Sequence, residues 1–182
     1  MSAFPAVLRP RILALLCAAM LAGCAHQAPT ITPVDSVELP RFMGTWYVIA
    51  HIPTFVERDA YNAVERYELD DEGRIRTTYT QRKGGFDAEE SAMHPIGRVV
   101  PGTGDAVWTM QFVWPIRAEY VITYVDAGYT QTIIGRSKRD HAWIMARTPS
   151  IPEADYQAHL QRLREMGYSL EDLRRVPQRW PE

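Results

Sequence analysis

Trp46-Tyr47-Val48-Ile49, entered through Gly44-Thr45 and continuing to Ile52, is the stretch on which the fold turns. Aromatic and β-branched residues crowd it and Pro53 stops it, the signature of a short strand. The pattern recurs downstream. Residues 61–69 alternate imperfectly and run into Asp70-Asp71-Glu72-Gly73, a strong turn; residues 75–81 complete a hairpin that stops near Gly84-Gly85. Residues 86–100 are more polar and are crossed by Pro95, which suits an edge or a bulge better than a central ladder. After the turn at 101–105, residues 106–113 place Val107, Thr109, Gln111 and Val113 on one face. Trp108, Met110 and Phe112, continuing to Trp114, fall on the other. Three more strands follow at 119–125, 129–135 and 142–146, separated by Asp126-Ala127-Gly128 and by the charged turn at 136–140.

Eight short strands in meander order, with no crossover helix between them, predict an all-β fold: an eight-stranded antiparallel up-and-down β-barrel. Closure removes the exposed edges, and eight is a strand number at which a barrel can hold one small ligand. A β-sandwich is the competing architecture, and periodicity alone does not separate the two. Beyond the strands, Ser150-Ile151-Pro152-Glu153 reads as a helix start, with Ser150 as cap and Glu153 in the capping-box position. Tyr156, Leu160 and Leu163 form its apolar stripe, which predicts a C-terminal α-helix packed outside the barrel, and Gly167 is its expected C′ residue. Ser169 and Asp172 suggest a second short helix start, with Leu170, Leu173 and Val176 on the packed face.

The other end of the chain is of a different kind. A basic start through Arg11 leads into the nine-residue apolar run 12–20, too short to span a membrane as a helix but long enough for a signal-peptide core. Leu21-Ala22-Gly23-Cys24 then resembles the lipobox of bacterial lipoproteins, in which Cys24 is acylated (palmitate among the acyl chains) and becomes the first mature residue. The expected division is a signal peptide at 1–23, a lipidated N-terminal tether at 24–37 containing Pro29 and Pro33, and one domain at 38–182. The chain has two cysteines, Cys17 and Cys24; on this reading the first is discarded and the second carries lipid, so the domain has no disulfide. The 159 residues from Cys24 onward are enough to bury a core without one.

Charge narrows the function further. The chain has 20 basic and 22 acidic residues; losing Arg9 and Arg11 leaves 18 against 22, so the formal charge goes from −2 to −4. With no basic surplus to neutralise phosphates, no nucleic-acid partner is expected.

With Gly44-Thr45-Trp46-Tyr47 just after Leu39-Pro40-Arg41-Phe42-Met43, the sequence resembles a bacterial lipocalin of the outer-membrane lipoprotein branch related to apolipoprotein D. A second region of resemblance is Val125-Asp126-Ala127-Gly128-Tyr129, and a third runs over residues 135–149 and ends in Arg147-Thr148-Pro149. The three occur in order, and together they cover about residues 38–177. Val125 and His141 depart from the family pattern in turn and surface detail. The resemblance implies that Trp46 closes the base of the barrel with Arg147 crossing it, while Gly44 lets the chain pass beneath. A guanidinium over an indole face is worth about 0.5–2 kcal/mol. These three residues are therefore structural.

If Trp46 faces inward, Val48, Ala50 and Ile52 share its face, and the small residues leave room above it. Tyr67 and Phe112, with Trp108 as a further candidate, are expected to supply a mostly apolar wall; outward packing under the helix is the alternative for Phe112 and Trp108. Trp143 and Met145 share parity with Arg147 and face either ligand or helix. The loop at 54–60, carrying Phe55, Glu57 and Arg58, belongs at the open end as a lid or a membrane-facing rim. Arg58 is the candidate partner of an anionic head group there, or else a solvated loop charge. The ligands implied by the resemblance are fatty acids and lysophospholipids.

An enzyme has little to rest on. There is no Gly-x-Ser-x-Gly elbow and no Gly-x-Gly-x-x-Gly loop, and His26, His51, His94, His141 and His159 are scattered without metal-ligand spacing. No catalytic residue, metal or cofactor is therefore expected. The favoured function is binding, storage or transport of a lipophilic ligand by a protein anchored through its N-terminal lipid to the periplasmic face of the outer membrane. The alternative is a non-catalytic envelope interaction module with an incidental cavity. Periodicity leaves monomer and homodimer both open.

Overall fold

The computed structural model describes residues 30–181. The expected signal peptide, the Cys24 lipidation site and the first part of the tether lie outside them. A short helix α1 (Leu39–Phe42) leads into β1 (Gly44–Ile52); a 3-10 turn (Phe55–Glu57) connects to β2 (Ala60–Leu69) and β3 (Ile75–Lys83). Then come β4 (Glu90–Met93), β5 (Ile96–Val99), β6 (Val107–Val113), β7 (Ile116–Val125), β8 (Gln131–Gly135) and β9 (Ala142–Ala146). Helix α2 (Glu153–Glu165) and a two-residue strand β10 (Arg174–Arg175) complete the chain.

Neighbouring strands pair antiparallel in order from β1 to β9, and β9 pairs back onto β1, so the sheet closes. β4 and β5 both pair with β3 and together make the fourth barrel strand, interrupted at His94-Pro95, where proline can donate nothing to a ladder. The result is an eight-stranded antiparallel closed barrel with α2 packed outside it, as the strand grammar predicts.

One end is sealed by aromatic packing. Phe42, Trp46, Tyr67, Trp108 and Tyr120 form one cluster: Phe42 lies 5.0 Å from the Trp46 ring, and Trp108 stacks on Tyr120 at 5.2 Å. The Arg147 guanidinium sits 3.7 Å over the Trp46 ring. It donates to the carbonyls of Thr45 (2.8 Å), Arg41 (2.7 Å) and Met43 (2.9 Å), acceptors that the turn from α1 into β1 would otherwise leave open. Gly44 has φ +95°, and it is this backbone conformation that requires glycine; a Cβ there would meet only Arg147 Nη1 at an ordinary 3.4 Å.

The outer cluster joins Ile49, Ile133, Ile144 and Ala146 of the barrel to Tyr156 and Leu163 of α2. Two features of the helix differ from expectation. Pro152 rather than Ser150 occupies the N-cap, and the Ser150 carbonyl instead accepts the Thr148 hydroxyl at 2.7 Å. The buried stripe also includes His159, whose Nε2 lies 2.7 Å from Gln131 Oε1. At the other end Gly167, at φ +85°, donates to the Arg164 carbonyl while Tyr168 donates to that of Leu163, a Schellman closure.

No helix forms after Ser169. Leu170 to Leu173 make a turn, and Arg174–Arg175 pair with Ala50 and His51 of β1. The reason lies in the barrel seam. β1 pairs with β2 only from Gly44 to Tyr47, and beyond that the two strands part. The C-terminal segment fills the gap: Gln178 Nε2 donates to the carbonyls of Val48 and Ala63, and Asn62 exchanges bonds with the Arg179 backbone. Residues 31–37, within the expected tether, pack on the barrel. Ile31 and Val37 are buried, and the Val34 amide donates to the Ile122 carbonyl at 2.9 Å.

Candidate functional site

Above the aromatic plug the barrel is hollow. A cavity of about 360 Å³ opens at the end opposite Arg147 and is bounded there by the 3-10 turn and the β6–β7 hairpin. Its wall is mostly apolar: Val56, Met93, Met110, Phe112, Tyr120 and Trp143 contribute to it. Polar side chains also face it, among them Glu57, Glu65, Glu119, Thr77 and Tyr79. Arg136 is the one cation among the lining residues, and its guanidinium is turned to Asp140, 3.4 Å away.

The three carboxylates are held differently, Glu119 by the Ser137 amide (2.6 Å) and hydroxyl (2.8 Å). Glu57 folds inward from the 3-10 turn, where Oε2 accepts the Thr54 amide (2.9 Å) and the Thr54 hydroxyl in a capping box. Its Oε1 accepts the Trp143 indole N–H at 2.9 Å, so this side chain ties the loop to the cavity wall. Glu65 projects from the middle of β2 and accepts the Tyr67 hydroxyl, which in turn pairs with the Tyr120 hydroxyl. Burial, with the nearby charge of Glu57 adding to it, pushes the Glu65 carboxyl up to about 8, so it is protonated at neutral pH. The Thr77 hydroxyl, on the neighbouring strand, is buried and has no hydrogen-bond partner.

The residues singled out from the sequence are distributed unevenly around this cavity. Phe112 lines its mouth, half-exposed on the inward face of β6, and Trp108 also turns inward, its indole N–H on the Asp105 carbonyl at 2.7 Å. Trp143 faces the cavity, and Met145 faces the core below it. Val48 and Tyr67 belong to the inner core cluster, at the level of the plug. Ala50 and Ile52 do not share the face of Trp46. The register between β1 and β9 slips by one residue at Ile49, a bulge that turns Ala50 and Ile52 onto the outer cluster beneath α2. His51 takes the inward side instead, paired with Trp143 and fully buried. Arg58 lies outside the cavity, its guanidinium 5.7 Å from the Phe55 ring.

Glu65, Thr77 and Tyr79 were not among the sequence candidates, and Glu57 was named only as part of the open-end loop. One signal was available: once Tyr67 is read as inward, Glu65 two residues earlier shares its face. The open end also carries an apolar rim. Trp114 at the hairpin tip is 82% exposed and Phe55 is 77% exposed, with Val113 and Ile116 beside Trp114.

A family model described as a lipocalin-like domain matches residues 37–178. The chain belongs to the lipocalin family. Temperature-induced lipocalin-1 of Arabidopsis thaliana is 28% identical over 156 residues, covering 80% of this chain and 81% of that protein. The outer membrane lipoprotein Blc of Vibrio cholerae is 24% identical over 171 residues, covering 92% of this chain and 98% of its own. Among solved structures, insecticyanin from the tobacco hornworm Manduca sexta superposes with a TM-score of 0.65 at 16% identity, covering 85% of this chain and 87% of that one. The cockroach allergen Per a 4 gives 0.62 at 21%, covering 81% and 92%. Both superpositions bear on the fold alone. The lipocalin barrel here is able to take a small hydrophobic ligand, and among the described residues no cluster of His, Cys, Asp and Glu could hold a metal ion.

Proposed function

We propose that this lipocalin is a carrier for a single-chain lipid amphiphile, of the fatty-acid or lysophospholipid kind, working at the periplasmic face of the outer membrane. The observation that carries the reading is the apolar cavity of about 360 Å³, opening between a loop and a hairpin that both present bare aromatic side chains. An acyl chain entering there leaves water for a wall of methionine, valine and aromatic groups. Each buried methylene contributes about 0.8 kcal/mol. The exposed Phe55 and Trp114 suit contact with a bilayer surface, where amphipathic aromatic rings settle, so lipid can pass between membrane and barrel without crossing bulk water. In this reading Phe112 meets the ligand at the mouth, and Val48 and Tyr67 support the floor on which it rests.

Anchoring rests on Leu21-Ala22-Gly23-Cys24, and the Blc relatives of Vibrio cholerae and Escherichia coli, named as outer membrane lipoproteins, support that location. Residues 1–23 are then lost and Cys24 carries the lipid. Ala25 follows the cysteine, with no aspartate there to divert the protein from the outer membrane.

Native mass spectrometry of the purified protein, before and after delipidation, tests the carrier. Retained acyl lipid that rebinds after removal supports it; failure to bind any acyl lipid overturns it and leaves the envelope interaction module. Cys24→Ser should release the mature protein from membranes into the soluble periplasmic fraction. Continued tight membrane association would sink the anchor.

A further inference from the structure

The polar end of the cavity is acidic, and nothing about an acyl carrier requires that. Of its three lining carboxylates, Glu119 is held by the Ser137 amide and hydroxyl, while Glu57 and Glu65 reach in from different elements; the one lining cation, Arg136, pairs through Nη1 with Asp140 and has its Nε buried without a partner. Three aromatic rings stand around the same space, Tyr79, Tyr120 and Trp143, the last two stacked at 6.5 Å. An unpartnered hydroxyl, that of Thr77, is 3% exposed and faces the cavity beside them. A buried hydroxyl without a partner marks a place where a bound group completes the bonding.

We propose that this end of the cavity is a head-group site for an amphiphile bearing a protonated or quaternary amine, bound with the ammonium inward between Glu57, Glu65 and the aromatic rings. The proposal rests on the carrier reading and narrows it to a ligand class. An ammonium gains from ring faces and from carboxylates at once, and both gains grow where water is excluded. A carboxylate head placed between Glu57 and Glu65 would meet the Glu57 charge, which is costly in a desolvated site, and would have to draw Arg136 from Asp140 to offset it. Fatty acids would therefore bind, if at all, with the head group at the mouth.

Binding an ammonium also changes the protonation of the wall. Glu65, neutral in the empty cavity, gives up its proton as the cation takes its place. The ionisable groups facing it are Glu57 from the 3-10 turn, Tyr67 from its own strand, Tyr79 from β3 and Tyr120 from β7. Burial raises Tyr79 and Tyr120, so both stay neutral and Glu65 is the group that titrates.

The test compares three ligands with the same decyl chain by isothermal titration calorimetry on the mature protein: decyltrimethylammonium, decanoate and decanol. The ammonium should bind at least about tenfold tighter than decanoate, and Glu65→Gln should collapse that preference while leaving decanol within about twofold. Decanoate binding as tightly as the ammonium, or a preference unmoved by Glu65→Gln, overturns the proposal. If none of the three binds, the carrier reading falls first and takes the proposal with it; decanol alone binding keeps the carrier and sinks the head-group site. Should the Gln variant fail to fold, the wild type decides. Its affinity for the ammonium should rise about tenfold or more between pH 6 and pH 8 as Glu65 becomes easier to ionise, with decanol flat. Parallel profiles for the two ligands overturn it.

Discussion

The two ends of the barrel solve opposite problems with similar residues. At the closed end Trp46 is fully buried, its indole N–H donates to the Phe42 carbonyl at 2.8 Å, and Arg147 satisfies the carbonyls around it. At the open end Trp114 stands almost bare, and inside the cavity Thr77 has no partner. The same aromatic residue type serves as a plug where every polar group is paired, and as a contact surface where some are left free. Stability is concentrated at the base, and unsatisfied binding capacity at the mouth.

That contrast is open to direct attack, beginning where the effect should be largest. Trp46→Ala empties the plug and should lower unfolding free energy by about 4 kcal/mol in urea titrations, the range for a large buried aromatic. Arg147→Ala should cost about 3 kcal/mol, combining the lost ring contact with carbonyls left unpaired. A loss under about 1 kcal/mol for either would show that the base is not where the barrel is held.

The mouth should declare itself through pH. Glu65, raised to about 8 when folded, binds a proton in the native state that the unfolded chain has released above its ordinary 4.5. Its contribution is therefore present at low pH and lost as pH rises towards 8. Between pH 6.5 and 8 the loss should come to about 2 kcal/mol. His51 and His159 run the other way. Burial lowers them to about 3 and about 4 from 6.5, so the unfolded chain takes up their protons first and stability falls as pH drops below 6.5. The net result is a stability maximum near pH 6.5. Glu65→Gln should flatten the alkaline limb and steepen the acid one between pH 4.5 and 6.5; equal alkaline losses in the variant and the wild type would assign that limb elsewhere.

Smaller still, Gly44→Ala should cost about 1 kcal/mol for a positive φ, visible as a lower thermal midpoint with ligand binding retained. The paired substitution Phe55→Ser and Trp114→Ser should leave stability within about 0.5 kcal/mol of wild type. It should nevertheless reduce adsorption of the unlipidated domain to phospholipid vesicles in a sedimentation assay. Undiminished adsorption would remove the rim from the delivery step.

The base was far more legible in the sequence than the mouth. Strand alternation and the turn at Asp126 follow from residue type and position, and the Trp46–Arg147 pairing is implied by the family resemblance. Ala50 shows where such reasoning stops. A single extra residue at Ile49 reverses the parity of everything after it, and the bulge has no local sequence mark. The cavity carboxylates were hidden for another reason. A glutamate in an alternating strand reads as solvent-facing unless its parity with Tyr67 is followed, and Tyr120, the partner of Tyr67, reaches the same site from β7 only once the barrel closes. The turn after Ser169 was equally invisible, because Ser169, Asp172 and Leu173 are compatible with a helix until β1 offers an unpaired edge.

The filling of the seam between β1 and β2 also bears on the order of assembly. Val48, in the first strand, receives a bond from Gln178, 130 residues further along, and β1 meets its other neighbour β9 only when nearly all of the sequence is present. Contacts of such long range make for slow folding, because the loop must close before they contribute. A chain truncated before Arg174 would leave the upper half of β1 exposed on the β2 side. The barrel is therefore a structure that residues 174–178 complete, and until they dock the upper half of the first strand remains an open edge towards β2.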